Sequence, residues 1–239
     1  DNPFAALGPS FALNYAGVIF FSCLGALLMT SLIYAMVRLY NEREERLNGV
    51  VFGDIKSLLL RNVKRLFLMG IACSFLFIFA VIFIVLLAVL TPFTLILTIP
   101  LLFAFMVPLA LMAPIYLFED ISLGEAFAKT FRLGFATWGG VFLILIVMGI
   151  IASVLQGIVF IPWYVIYIVK MIFTMSDGGA TSSSVGLNFA QYLFSILMLY
   201  GSYLSAIFGI VGLVYQYGHA SEVVDSITVE SDIDNFDKL

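Results

Sequence analysis

Residues able to carry chemistry are few in this 239-residue chain: one histidine, His219, two cysteines, Cys23 and Cys73, and a modest set of carboxylates. No HExxH, CxxC, GxSxG or glycine-rich phosphate loop is present, so no motif assigns a catalytic, cofactor-binding or metal-ligating residue. The densest charged chemistry lies in residues 119–135, EDISLGEAFAKTFRLGF. Glu119, Asp120 and Glu125 could supply acid–base or headgroup chemistry beside Lys129 and Arg132. The acidic tail (Glu222, Asp225, Glu230, Asp232, Asp234, Asp237) could attract a cation weakly, although a solvated tail explains it better. Ser122 and Glu125 have the spacing of a capping box. Leu123, Phe127 and Phe131 then form an apolar stripe, and Glu125 to Lys129 is an acid-first i,i+4 pair. The segment therefore reads as a short helix lying at a membrane surface.

A second charged stretch covers residues 41–65. Asn48-Gly49 signals a turn, and Asp54 can cap an amphipathic piece with Ile55, Leu58, Leu59 and Val63 on one face. Arg61, Lys64, Arg65, Lys129 and Arg132 are thus candidates for contact with anionic lipid phosphates, each cation near a surface contributing about 1 kcal/mol. The plainer account of the same residues is an orientation signal.

The elements positioning these charges are membrane helices. Hydrophobic residues make up 63% and charged residues only 11% of the chain, against about 25% charged in soluble domains. Apolar runs long enough to cross hydrocarbon give an all-α, polytopic helical bundle of about five spans. They fall at about 11–40, 66–90, 93–118, 138–160 and 189–217. Thr91-Pro92 makes spans two and three a hairpin, and Pro100, Pro108 and Pro114 should kink the third. Pro162 is expected to break the fourth, leaving a continuation to 175 (Trp163, Tyr164, Tyr167, Lys170) that spans, re-enters or lies in the headgroup region. Residues 1–10 and 176–188 read as turn-rich and polar connections. The chain thus divides into a helical domain, 1–218, and a tail, 219–239. It begins without Met, which suggests a preceding segment.

Ten cations (Arg38, Arg43, Arg46, Lys56, Arg61, Lys64, Arg65, Lys129, Arg132 and Lys238) fall on one side of this arrangement, and Lys170 alone falls near the other. The positive-inside rule makes that side cytoplasmic, with residue 1 outside and the tail inside. No basic patch with interleaved aromatics suggests nucleic acid. Asn14, Gln156 and Gln191 are sparse polar groups within spans, and no acid–base chain of the kind used by coupled transporters is visible. Two small-residue faces, Gly149/Ser153/Gly157 and Gly201/Ser205/Gly209, could pack helices within the bundle or against a partner.

The run APIYLFEDISLGEAFAKTFRLGFATWGG, with Pro114, Glu119, Glu125-Ala126, Arg132 and Trp138 in order, resembles multi-pass bacterial proteins related to the membrane domain of some glycerophosphodiester phosphodiesterases. NPFAALGP and LYNEREERLNGVVFGDI are similar to uncharacterised members with one more N-terminal span. The resemblance implies an all-helical domain of typically six spans. No phosphodiesterase domain is present, so that activity does not carry over. A carotene-oxygenase label borne by some relatives needs four iron-binding histidines, and one is present here.

The expectation is a non-enzymatic inner-membrane protein with no cofactor, an accessory or scaffolding subunit engaging membrane lipids, an integral membrane partner or a second copy of itself. Two alternatives stay open: a transporter or lipid-moving protein, and a membrane enzyme acting on lipid head groups.

Overall fold

A computed structural model describes residues 8–91, 93–176 and 185–226. The first seven residues, Pro92 of the expected turn, most of the polar 176–188 connection and the tail beyond 226 (with Lys238) lie outside these. The described residues form seven α-helical segments and no strand: α1 (Pro9–Glu42), α2 (Phe52–Leu90), α3 (Thr94–Leu109), α4 (Met112–Phe118), α5 (Leu123–Ala136), α6 (Trp138–Ser176) and α7 (Val185–Asp225). Five stretches are long and apolar enough to cross a membrane: Phe11–Glu42, Phe52–Val89, Thr94–Phe118, Trp138–Phe173 and Val185–Asp225. This is a multi-pass helical membrane protein.

Three boundaries differ from the sequence reading, each for a local reason. The amphipathic piece at 54–65 is not a separate surface helix but the first three turns of α2, because nothing between Asp54 and Leu66 breaks the ladder. Pro162 does not end α6, which runs unbroken from Trp138 to Ser176. One missing donor is tolerable where neighbouring helices and local adjustment re-satisfy the backbone. The last helix passes residue 218 to Asp225, so His219 is helical rather than the start of a tail.

The third span does break, at Ala110–Leu111. Pro114 removes the N–H that would reach Ala110, and its ring crowds the same carbonyl. The chain responds with tight i to i−3 bonds, Ala110 N–H to Val107 O at 3.2 Å and Leu111 N–H to Pro108 O at 3.0 Å, before α4 resumes. Pro108 and Pro114 are both buried.

Contacts gather into two units, Asp1–Arg132 and Leu133–Leu239, with the boundary inside α5. In the first unit α1, α2 and α4 pack together and α3 pairs with α2. Its core is Tyr34 and Ala35 of α1, Leu66 of α2, and Leu111, Met112, Ile115 and Leu117 around α4. Asn62 Nδ2 donates to Ser31 O across α1 and α2 at 3.3 Å, and Tyr34 meets Phe118 edge-on at 5.7 Å.

The second unit is the antiparallel hairpin of α6 and α7. Polar pairs mark its register from the open end inward: Lys170 Nζ to Asn188 Oδ1 and Gln191 Oε1, both 2.8 Å; Trp163 Nε1 to Ser195 Oγ, 3.0 Å; Gln156 Nε2 to Ser202 Oγ, 3.2 Å. Between the last two pairs Val159 covers Gly201; farther along, Met148 and Ile144 cover Gly212, and Gln216 covers Gly140.

Candidate functional site

The charged residues of the first unit converge at the exit of α4. Asp120 ends that helix in the left-handed region, φ 54°, a conformation Asp tolerates better than most residues. Three arginines close on its carboxylate: Arg65 at 3.3 Å to Oδ1, Arg61 at 3.3 Å and Arg38 at 3.4 Å to Oδ2. Arg38 comes from α1, where it also binds Glu42 one turn on at 2.7 Å. Arg61 and Arg65 come from one face of α2. Beside them Lys129 Nζ lies 2.8 Å from Glu119 Oε2, tying α5 back to the end of α4.

Arg65 is the centre of this cluster. Its guanidinium donates to the carbonyls of Tyr116 and Ile121, the latter at 2.8 Å, and its Cζ lies 4.0 Å from the centroid of the Tyr116 ring. Arg38 donates similarly to Leu117 O at 3.2 Å. The carbonyls at the end of a helix have no partner within it, and here two arginines serve several of them at once. A planar guanidinium with five donors suits that task, and an ammonium does not. The chemistry of the arrangement is therefore helix termination: cations neutralise an acidic C-terminus and lock α1, α2, α4 and α5 in one geometry.

Ser122 and Glu125 form the expected capping box: Ser122 N–H donates to Glu125 Oε2 at 2.9 Å, and Glu125 N–H to Ser122 Oγ at 3.3 Å. Hydrogen bonds from the Ser122 backbone N–H and then its side chain hold the Glu125 carboxyl below its usual range. The expected Glu125–Lys129 pair gives way: Glu125 is drawn back to Ser122, and Lys129 takes Glu119 instead. A depressed carboxyl supports the fold above its unfolded pKa and loses that contribution as pH falls through the folded value. The difference in melting temperature between wild type and Glu125→Ala should therefore be clear near about pH 7 and shrink with acidification below the carboxylate range. A difference independent of pH would remove Glu125 from the cap.

Of the five cations proposed for lipid, Arg61, Arg65 and Lys129 are thus engaged within the protein. Arg132 is exposed on α5. Lys64 is also exposed, and it makes no ion pair or hydrogen bond among the described residues. It lines a groove of ≈ 750 Å³ between α1 and α2.

The small-residue faces divide between those inside the hairpin and those left open. Gly201 and Ser205 are buried, with Val159 Cγ1 only 2.4 Å from where a Gly201 Cβ would stand. Gly209 is off this face, with open space at its Cβ position, and Gly212 takes its place against Met148. With about 100° per residue, two four-residue steps drift about 80° from the start, whereas eleven residues return to about 20°. In α6 the stripe Gly149/Ser153/Gly157 does not form the hairpin contact: both glycines have open space at the Cβ position, and Ser153 is exposed. Gly140, Met148, Gln156, Val159 and Trp163 carry that contact instead. Gly140, Gly212 and Val159 are residues the sequence reading passed over, and Asp120 and Arg38 were named there without being paired. The eleven-residue spacing of Gly201 and Gly212 was the available signal for one of them.

Among the described residues no group of three or more His, Cys, Asp or Glu could hold a metal ion. The cysteines are free, with Cys73 Sγ 3.7 Å from Met112 Sδ. Comparison with protein-family models, characterised proteins and solved structures returns no match.

Proposed function

We propose that this chain is a non-enzymatic integral membrane protein, an accessory or scaffolding subunit that engages a partner membrane protein and lipids through the faces of its long helices. In this reading the arginine cluster sits at the cytoplasmic face of an inner membrane. The observation that supports it is the use of the charges at the α4 exit. Asp120 with Arg38, Arg61 and Arg65, and Glu119 with Lys129, bind one another and backbone carbonyls. Both oxygens of the Asp120 carboxylate already face guanidiniums. Such a cluster serves shape, and a fixed shape is what a scaffold presents.

A coupled transporter would instead need polar groups facing a shared path. Gln156 and Lys170, the best placed within the hairpin, turn to Ser202 and to Asn188 and Gln191. The test is gentle extraction of the full chain from its native membrane, followed by mass spectrometry of what travels with it. An integral membrane protein at a fixed stoichiometry is the expected result. A chain that runs alone at every extraction condition would contradict the scaffold reading.

A further inference from the structure

The groove between α1 and α2 lies wholly within the first unit. Its walls are apolar, built from Leu24 and Leu27 of α1 and from Val63, Phe67, Ile71 and Phe75 of α2. The polar groups on it ask little of a ligand: Ser74 Oγ already donates to Gly70 O at 2.7 Å, and Cys23 offers only a weak donor. Gly70 forms part of the wall, with open space where its Cβ would stand. At the end nearest the arginine cluster stands Lys64, the neighbour of Arg65 in sequence but turned away from Asp120.

From Lys64 to Ile78, the last α2 residue on the groove, fourteen residues rise about 21 Å. One leaflet of hydrocarbon is about half of a 30 Å core. A cation heading an apolar trough of that length is complementary to one molecule: a lipid with an anionic headgroup and a chain running toward the bilayer centre. We propose that this groove binds an anionic phospholipid of the leaflet next to the arginine cluster, its phosphate on the Lys64 ammonium and one acyl chain along Val63, Phe67, Ile71 and Phe75. The other cations of the cluster do not compete for it, because Arg61 and Arg65 already hold Asp120. This site adds the lipid class to the reading above and rests on its membrane setting, not on its partner subunit.

The experiment is native mass spectrometry of the purified full chain equilibrated with equal amounts of phosphatidylglycerol and phosphatidylcholine. Wild type should retain phosphatidylglycerol in excess. Lys64→Gln should reduce that preference about fivefold, following from about 1 kcal/mol per cation near a membrane surface, and Lys64→Arg should restore it. Gly70→Leu fills the groove without displacing a neighbour and should lower retention of both lipids. Gly157→Leu, placed at an equally open glycine of α6, serves as the control and should change neither. Undiminished preference in Lys64→Gln would overturn the site, as would Gly70→Leu behaving like Gly157→Leu. Either failure leaves the scaffold reading intact, since that is decided by the co-purifying protein.

Discussion

Arg65→Ala should destabilise the protein by about 2–3 kcal/mol, more than loss of any other single charge. Removing one partner from a buried ion pair costs about 3–5 kcal/mol. Here Asp120 is 41% exposed while Arg65 is 17%, so solvent screens part of the interaction and the lower figure applies. The loss is larger than an exposed pair would give because three bonds and a ring contact go together: Asp120, the carbonyls of Tyr116 and Ile121, and the Tyr116 ring. Arg65→Lys should recover less than half, since a single ammonium cannot serve two carbonyls and a carboxylate from above a ring. Thermal unfolding in a mild detergent reads both variants. Equal stability of Arg65→Lys and wild type would show that charge alone matters there.

Gly201→Leu is expected to have the second large effect, about 3 kcal/mol, because the side chain would enter the space of Val159 and overpacking a tight contact costs typically 1–3 kcal/mol or more. Gly209→Leu, two turns on, should be near neutral, since nothing stands within 4 Å of its Cβ position. Pairing Gly201→Ala with Val159→Ala should recover part of what either costs alone, a coupling expected only of residues in contact. Denaturant titration of these five variants checks the register. Equal damage from the substitutions at 201 and 209 would place the hairpin on the four-residue stripe instead.

The spans were legible because hydrocarbon imposes a simple demand: about twenty apolar residues with every backbone group bonded internally. The apolar cores of all five spans therefore fall where composition puts them, although three helices run on past the expected boundaries. The capping box was legible too, since Ser122 and Glu125 act within one turn. Pro114 and Pro162 look alike in sequence, yet one accompanies a break and the other does not, because the outcome depends on the packing around each. The charges were hardest. Spacing on a helix pairs Glu125 with Lys129, but Lys129 found Glu119 once α5 turned back on α4. Arg38 and Asp120 are 82 positions apart, and nothing local announces that they meet. The five candidate lipid cations divide for the same reason: Arg65 and Lys64 are adjacent in the chain, and about 100° of helical rotation sends one to Asp120 and the other to the groove.

Charges at the α4 exit hold α1, α2, α4 and α5 together. Hydrogen exchange of the full chain in lipid nanodiscs, wild type against Asp120→Asn, tests it directly. Asparagine keeps the left-handed backbone accessible and removes only the charge shared by the three arginines. Exchange should be faster in both 112–126 and the first three turns of α2, with α6 and α7 unchanged. Unaltered exchange in both segments, accompanied by loss of a bound lipid or partner, would contradict it and make the cluster a binding site.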